Sequence, residues 1–133
     1  MSSGVSPAFA SALQKASAAI TEHLAEHRID LGGKRGHLEL RFCGRGHTAG
    51  DIVVWHEQSR TLFAGDLVEA QAALYTGDAF HFDWSKGTLD TVKSFRAENL
   101  IGGRGAVAKG VAACDAAVEQ TREFLEVMIA KVG

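Results

Sequence analysis

The sequence predicts an α/β (α+β) domain, a mixed sheet flanked by helices, and three observations predict it. Short apolar segments between residues 37 and 64 alternate or run together at strand spacing. Before and after them, apolar residues recur every three or four positions, as on a half-buried helix. Fifteen glycines against one proline cluster between the apolar segments, where loops at strand ends need unusual backbone angles.

The elements follow in order. Residues 7–27 predict an N-terminal helix: Pro7 suits a first turn, and Phe9, Leu13, Ala16, Ile20 and Leu24 form one stripe. His23 and His27 lie four apart near its end, a spacing that more often serves the helix dipole than a metal. Residues 28–31 predict a short strand before the Gly32-Gly33 turn. In residues 37–43, Leu38, Leu40 and Phe42 share one face and His37, Glu39 and Arg41 the other, which marks a half-buried strand near an edge. Strands at 52–55 and 61–64 are apolar on both sides and need cover on both. His56, in the polar link between them, reads as a solvated loop residue. Residues 67–74 suit a helical turn or two, and 75–84 an aromatic loop. Helices are expected at 86–97 and 107–131, separated by a buried strand at 100–101 that runs into Gly102-Gly103-Arg104-Gly105.

With 133 residues, 46% of them hydrophobic, the chain is expected to be one domain (1–133) with an ordinary core. A net charge of −2 without a basic run argues against a nucleic-acid partner. No apolar run approaches membrane-spanning length, and the first residues lack the basic and apolar regions of a secretory signal. Cys43 and Cys114 form no CxxC motif and read as small core hydrophobes, so a cytoplasmic location is expected.

The chemistry concentrates in residues 44–66. His47 sits in Gly46-His47-Thr48-Ala49-Gly50-Asp51 just before one strand, and Asp66 in Leu62-Phe63-Ala64-Gly65-Asp66 just after the next. If these strands pair antiparallel, both side chains emerge at the same sheet edge, where a histidine and a carboxylate make half of a metal site. This loop, strand and strand-Gly-Asp sequence resembles the C-terminal half of the metallo-β-lactamase superfamily of metal-dependent hydrolases. Gly102-Gly103-Arg104-Gly105 is similar to that family's final Pro-Gly-His-Gly loop, and the resemblance covers residues 37–133.

The resemblance implies half of a four-layer αββα sandwich whose two similar halves flank a zinc or other two-metal site. It makes His47 a metal ligand, Asp66 the catalytic carboxylate bridging both metals, and Asp51 a loop brace. The departures are specific. No His-x-His-x-Asp-His string occurs, and Arg104, which cannot ligate a metal, holds the place of the last ligand histidine. A catalytic zinc needs about three protein ligands, so recruitment of His37 or His81 would be required to complete the set on one chain. The expectation is a truncated hydrolase-like domain, weakly active or inactive alone. Two further readings are an active enzyme whose site another chain completes, and an anion-binding module using Arg45 or Arg104. The missing half leaves one sheet face uncovered, which predicts a homodimer or an N-terminal-half partner chain, with helix 7–27 lying across the face as the alternative.

Overall fold

The computed structural model describes residues 7–12, 14–15, 26–70, 77 and 79–132. Six strands form one sheet in sequence order: β1 (Glu26–Asp30), β2 (His37–Phe42), β3 (Ile52–His56), β4 (Thr61–Glu69), β5 (Asn99–Arg104) and β6 (Ala108–Lys109). All neighbours pair antiparallel except β4 and β5, which run parallel. A parallel pair needs a crossover. The segment between β4 and β5 supplies it through the helical run α1, made of His81–Asp83, a π-helical stretch Trp84–Thr88, and Leu89–Ser94. The long helix α2 (Val111–Val132) closes the described chain.

Residues directly opposite in an antiparallel pair share a face, so the register sorts the sheet into two sides. Glu39 faces Trp55, Arg41 faces Val53, and Trp55 faces Leu62. On this side Val53, Trp55, Leu62, Ala64 and Leu100 are buried in one core with Leu89 and Val92 of α1 and Cys114, Val118 and Leu125 of α2. The other side carries Ile29, Leu38, Leu40, Phe42, Ile52, Val54 and Phe63. It is just as apolar, yet Ile29 and Phe63 are each 41% exposed and Phe42 37%. Sheets apolar on both sides are stable only when both are covered; among the described residues, α1 and α2 cover one.

Several expectations need correction. Residues 7–12 and 14–15 are helical, but Glu26 and His27 belong to β1, because His27 and Ile29 pair with Leu40 and Leu38 across a strand ladder. Residues 16–25, with His23, lie outside the described residues. Leu67, Val68 and Glu69 continue β4 instead of starting a helix: both apolar side chains are fully buried beside the parallel neighbour. The rest of that stretch, 71–76, is outside the described residues. Helix begins at His81, inside the expected aromatic loop, since buried Trp84 anchors it by donating from Nε1 to the Leu67 carbonyl at 3.0 Å. β5 runs on through Gly102-Gly103-Arg104, and Ala108–Lys109 pairs with β5 before α2 starts. His56 is a brace rather than a solvated residue, bonded to Ser59 Oγ at 2.6 Å and the Arg35 carbonyl at 2.7 Å.

Both cysteines are buried, as small hydrophobes would be. Burial pushes the Cys43 thiol up to about 11, against the opposing charge of Arg41. Among the described residues no helix is long and apolar enough to cross a membrane.

The two helices are tied by charge. Lys93 and Arg122 both donate to Glu119, at 3.0 and 3.1 Å, and Arg122 also reaches Asp90 at 2.7 Å. The Lys93 hydrogen bond holds the Glu119 carboxyl below the usual range, helped by Arg122 and opposed by burial. A carboxyl whose folded value is depressed stabilises the fold above its unfolded value, and that contribution is lost as pH falls through the folded one. Glu119→Gln is therefore expected to shallow the loss of stability on the acid side of the carboxylate range, while changing the neutral-pH midpoint only modestly because the pair is part-exposed. Urea midpoints measured across acid and neutral pH check this; parallel pH profiles for the two proteins would contradict it.

Candidate metal centre at the strand edge

His47 and Asp66 do meet. The antiparallel β3–β4 pair brings the loop before β3 beside the middle of β4, and His47 Nε2 lies 3.6 Å from Asp66 Oδ2. The imidazole is mostly buried and the carboxylate about half exposed. The loop is built around Asp51: its carboxylate accepts from the Thr48 amide at 2.7 Å and from Thr48 Oγ1 at 2.8 Å. This is the brace expected of Asp51, and it is an ordinary side-chain turn. Gly46 packs under the loop where a β-carbon would collide with Leu67 Cδ2, and its carbonyl accepts from the Phe80 amide at 2.9 Å. Trp84 presents its ring edge-on to His47, with centroids 6.0 Å apart.

Asp66 is seated by a glycine. It lies within β4, not after it, inside the second shift of the β4–β5 register, between Gly65 and Glu69. A β-carbon at Gly103 would strike Asp66 Oδ1, so the bare backbone of β5 is what admits the carboxylate. The site thus depends on two strands and one loop, each ordered by its own packing.

Two residues near this pair escaped the sequence reading. Trp84 falls in the stretch expected to be an aromatic loop, although a tryptophan two residues after another aromatic at a helix start is a reasonable anchor signal. Glu69 falls in the stretch expected to be a helical turn. It stands on β4, only 4% exposed, with Oε2 lacking a hydrogen-bond partner among the described residues. Burial raises its carboxyl most, followed by a hydrogen bond and charge from Asp66; Arg104 and His47 oppose them. The available signal was an acid embedded in Asp66-Leu-Val-Glu69-Ala, a run too apolar for a solvated turn.

The other expected participants are elsewhere. His37 opens β2, at the end remote from the His47 loop, and accepts from Arg28 at 2.7 Å. His81 lines a separate cleft of about 470 Å³ with Phe80, Phe82, Met128 and Ile129. Neither is recruited. Arg45 is committed to Asp83, through Nε at 2.8 Å and a shorter contact from the guanidinium terminus, and lies over the Phe80 ring. Arg104 ends β5, exposed and in register with Glu69. Among the described residues no group of three or more His, Cys, Asp and Glu side chains gathers to hold a metal ion. One imidazole and one carboxylate, with an arginine beside them, do not fit a two-metal pair.

If Gly103 is what seats Asp66, Gly103→Ala should rotate the carboxylate away from His47 with little loss of stability, because the colliding atom ends a flexible side chain. The His47 ring resonances should then shift as they do in Asp66→Ala, with a nearly unchanged melting midpoint. Ring resonances identical to wild type would contradict the seating.

Comparison with known proteins places this edge in context. No family model matches the chain. A curated relative, the metallo-beta-lactamase type 2 of Bacillus sp. (strain 170), is 36% identical over 67 residues, which make up 48% of this chain and 26% of the relative. Among solved structures, metallo-beta-lactamase IND-7 is 30% identical with a TM-score of 0.62, matching 75% of this chain and 44% of its own. The metallo-beta-lactamase from Pontibacter korlensis is 25% identical with a TM-score of 0.65, matching 76% and 46%. The chain spans about a quarter of the curated relative and under half of these structures. With its mixed six-stranded sheet and helical layer, the chain carries a partial metallo-β-lactamase fold.

Proposed function

We propose that this chain is a metallo-β-lactamase-like hydrolase domain whose own residues supply only part of a metal-dependent site, so that alone it hydrolyses weakly or not at all. The observation that carries the reading is the His47–Asp66 pair at 3.6 Å, without a third donor gathered to it among the described residues. The reaction class suggested by the likeness is hydrolysis of an ester, amide, thioester or phosphoester. A bound metal pair would supply hydroxide and steady the leaving group. The residues here do not fit that pair, and what they support is a remnant: His47 held edge-on to Trp84, and Asp66 seated on Gly103. The expected cytoplasmic location belongs to the same reading, with zinc as the metal a completed site would take.

The test is hydrolysis of a chromogenic cephalosporin, an aryl ester, a thioester and an aryl phosphodiester with zinc in excess. Wild type and His47→Ala should show the same rates. A zinc-dependent rate that drops about tenfold or more in His47→Ala, at least about 1.4 kcal/mol of barrier, would instead establish an active enzyme.

A second reading concerns what completes the molecule, and the exposure of Ile29, Phe42 and Phe63 on an otherwise apolar sheet face favours it. We infer that a second copy of this chain packs on that face, sheet against sheet. An N-terminal-half chain would use the same surface. Sedimentation should give twice the 14.1 kDa of one chain, and Phe63→Glu should return it to one. A wild-type monomer at high micromolar concentration would overturn the dimer.

A further inference from the structure

The link between β3 and β4 holds a hydroxyl against an imidazole, and the turn does not need that bond to close. The Arg60 amide donates to the Glu57 carbonyl at 3.0 Å, and Asn99 Nδ2 donates to the Ser59 carbonyl at 3.2 Å. Arg60, at φ 50°, is tied further by its guanidinium to the carbonyls of Phe95 and Arg96, at 3.1 and 2.8 Å. The Ser59 hydroxyl takes no part in that closure. Ser59 is exposed, and its Oγ lies 2.6 Å from His56 Nδ1.

The Arg35 carbonyl decides how the imidazole is protonated. It lies 2.7 Å from His56 Nε2, and a carbonyl oxygen only accepts, so Nε2 carries the proton. The neutral ring therefore turns the lone pair of Nδ1 toward the Ser59 hydroxyl. Thr61 Oγ1, 2.8 Å from Ser59 Oγ, is a hydroxyl able to donate to it in turn, and Asn99 Nδ2 backs Thr61 at 3.4 Å. A hydroxyl, a base within hydrogen-bond reach and a third group orienting the base are the parts of an activated nucleophile.

The geometry points to Ser59 as a nucleophile activated by His56, a second reactive centre that accepts acyl groups from esters with a good leaving group. It is separate from the His47–Asp66 edge, since His56 ends β3 and the His47 loop precedes it. In the step, the bond from Ser59 Oγ to the acyl carbon forms and the bond from that carbon to the leaving oxygen breaks. The hydroxyl proton passes by way of His56 Nδ1 to the leaving oxygen. Between the two transfers both ring nitrogens donate, and the Arg35 carbonyl steadies the imidazolium. Lys34 and Arg35, exposed on the helical turn Gly33–Arg35, favour an anionic leaving group such as a phenolate.

The experiment treats the whole chain with p-nitrophenyl acetate, following nitrophenolate release and locating acetyl groups by peptide mass spectrometry. Chelator in the buffer keeps the readout apart from any zinc-dependent hydrolysis. Ser59 should be acetylated ahead of every other serine, and Ser59→Ala should lose the initial burst of nitrophenolate. His56→Gln should slow acetylation of Ser59 by about a hundredfold. An unlabelled Ser59, or a rate at Ser59 unchanged in His56→Gln, would overturn the inference. If His56→Gln fails to fold, the wild-type chain decides: Ser59 labelled ahead of the other serines supports the activated hydroxyl, and Ser59 labelled no faster than they are overturns it.

Discussion

The parallel pairing of β4 with β5 is the constraint on which the rest of the molecule depends. It aligns Leu62 with Leu100 and Phe63 with Ile101, which anchors the sheet's centre in the helical core. The same pairing carries Gly103 under Asp66 and sets Arg104 opposite Glu69. Its cost is a crossover, and α1 fills that crossover with Trp84, whose indole ties the helix to β4 and stands edge-on to His47. Fold and site are therefore one construction. The register slips between Phe63 and Gly65 and again before Glu69, and the acid-bearing part of β4 lies where the ladder is least regular. Irregular strand ends commonly re-aim side chains in this way.

The sheet has two apolar sides, and among the described residues α1 and α2 form a helical layer on one of them. On the covered side, residues such as Val53 and Leu62 are wholly buried. On the other, Phe42 and Phe63 remain over a third exposed among half-buried aliphatic neighbours. Contiguous apolar surface of this kind marks an interaction site more often than an accident. The metallo-β-lactamases this chain resembles are longer, and it matches less than half their length.

Much of this was legible in the sequence, for physical reasons. The alternation in β2 and the double-sided apolar strands β3 and β4 are strong local signals, and they gave the sheet and its two apolar faces. The pairing of His47 with Asp66 followed from one antiparallel hairpin. What was not legible depended on non-local contacts. Leu67, Val68 and Glu69 look helical in isolation; burial beside β5 makes them strand, and so hid Glu69 from view. His27 sits at helical spacing from His23, but pairing with Leu40 places it in β1. Arg45 looked available to an anion until Asp83, 38 residues away in sequence, took it up. Trp84 and Gly103 have roles set by neighbours in space rather than along the chain.

The central claim is that the strand edge of this chain is held by its own side chains, with His47 and Asp66 as an incomplete ligand set. The most direct measurement is zinc content per chain after loading with excess zinc and dialysis against metal-free buffer. Far less than one zinc per chain is expected, with no difference between wild type and His47→Ala. Retention of one or more zinc ions per chain, lost when His47 is replaced, would contradict it.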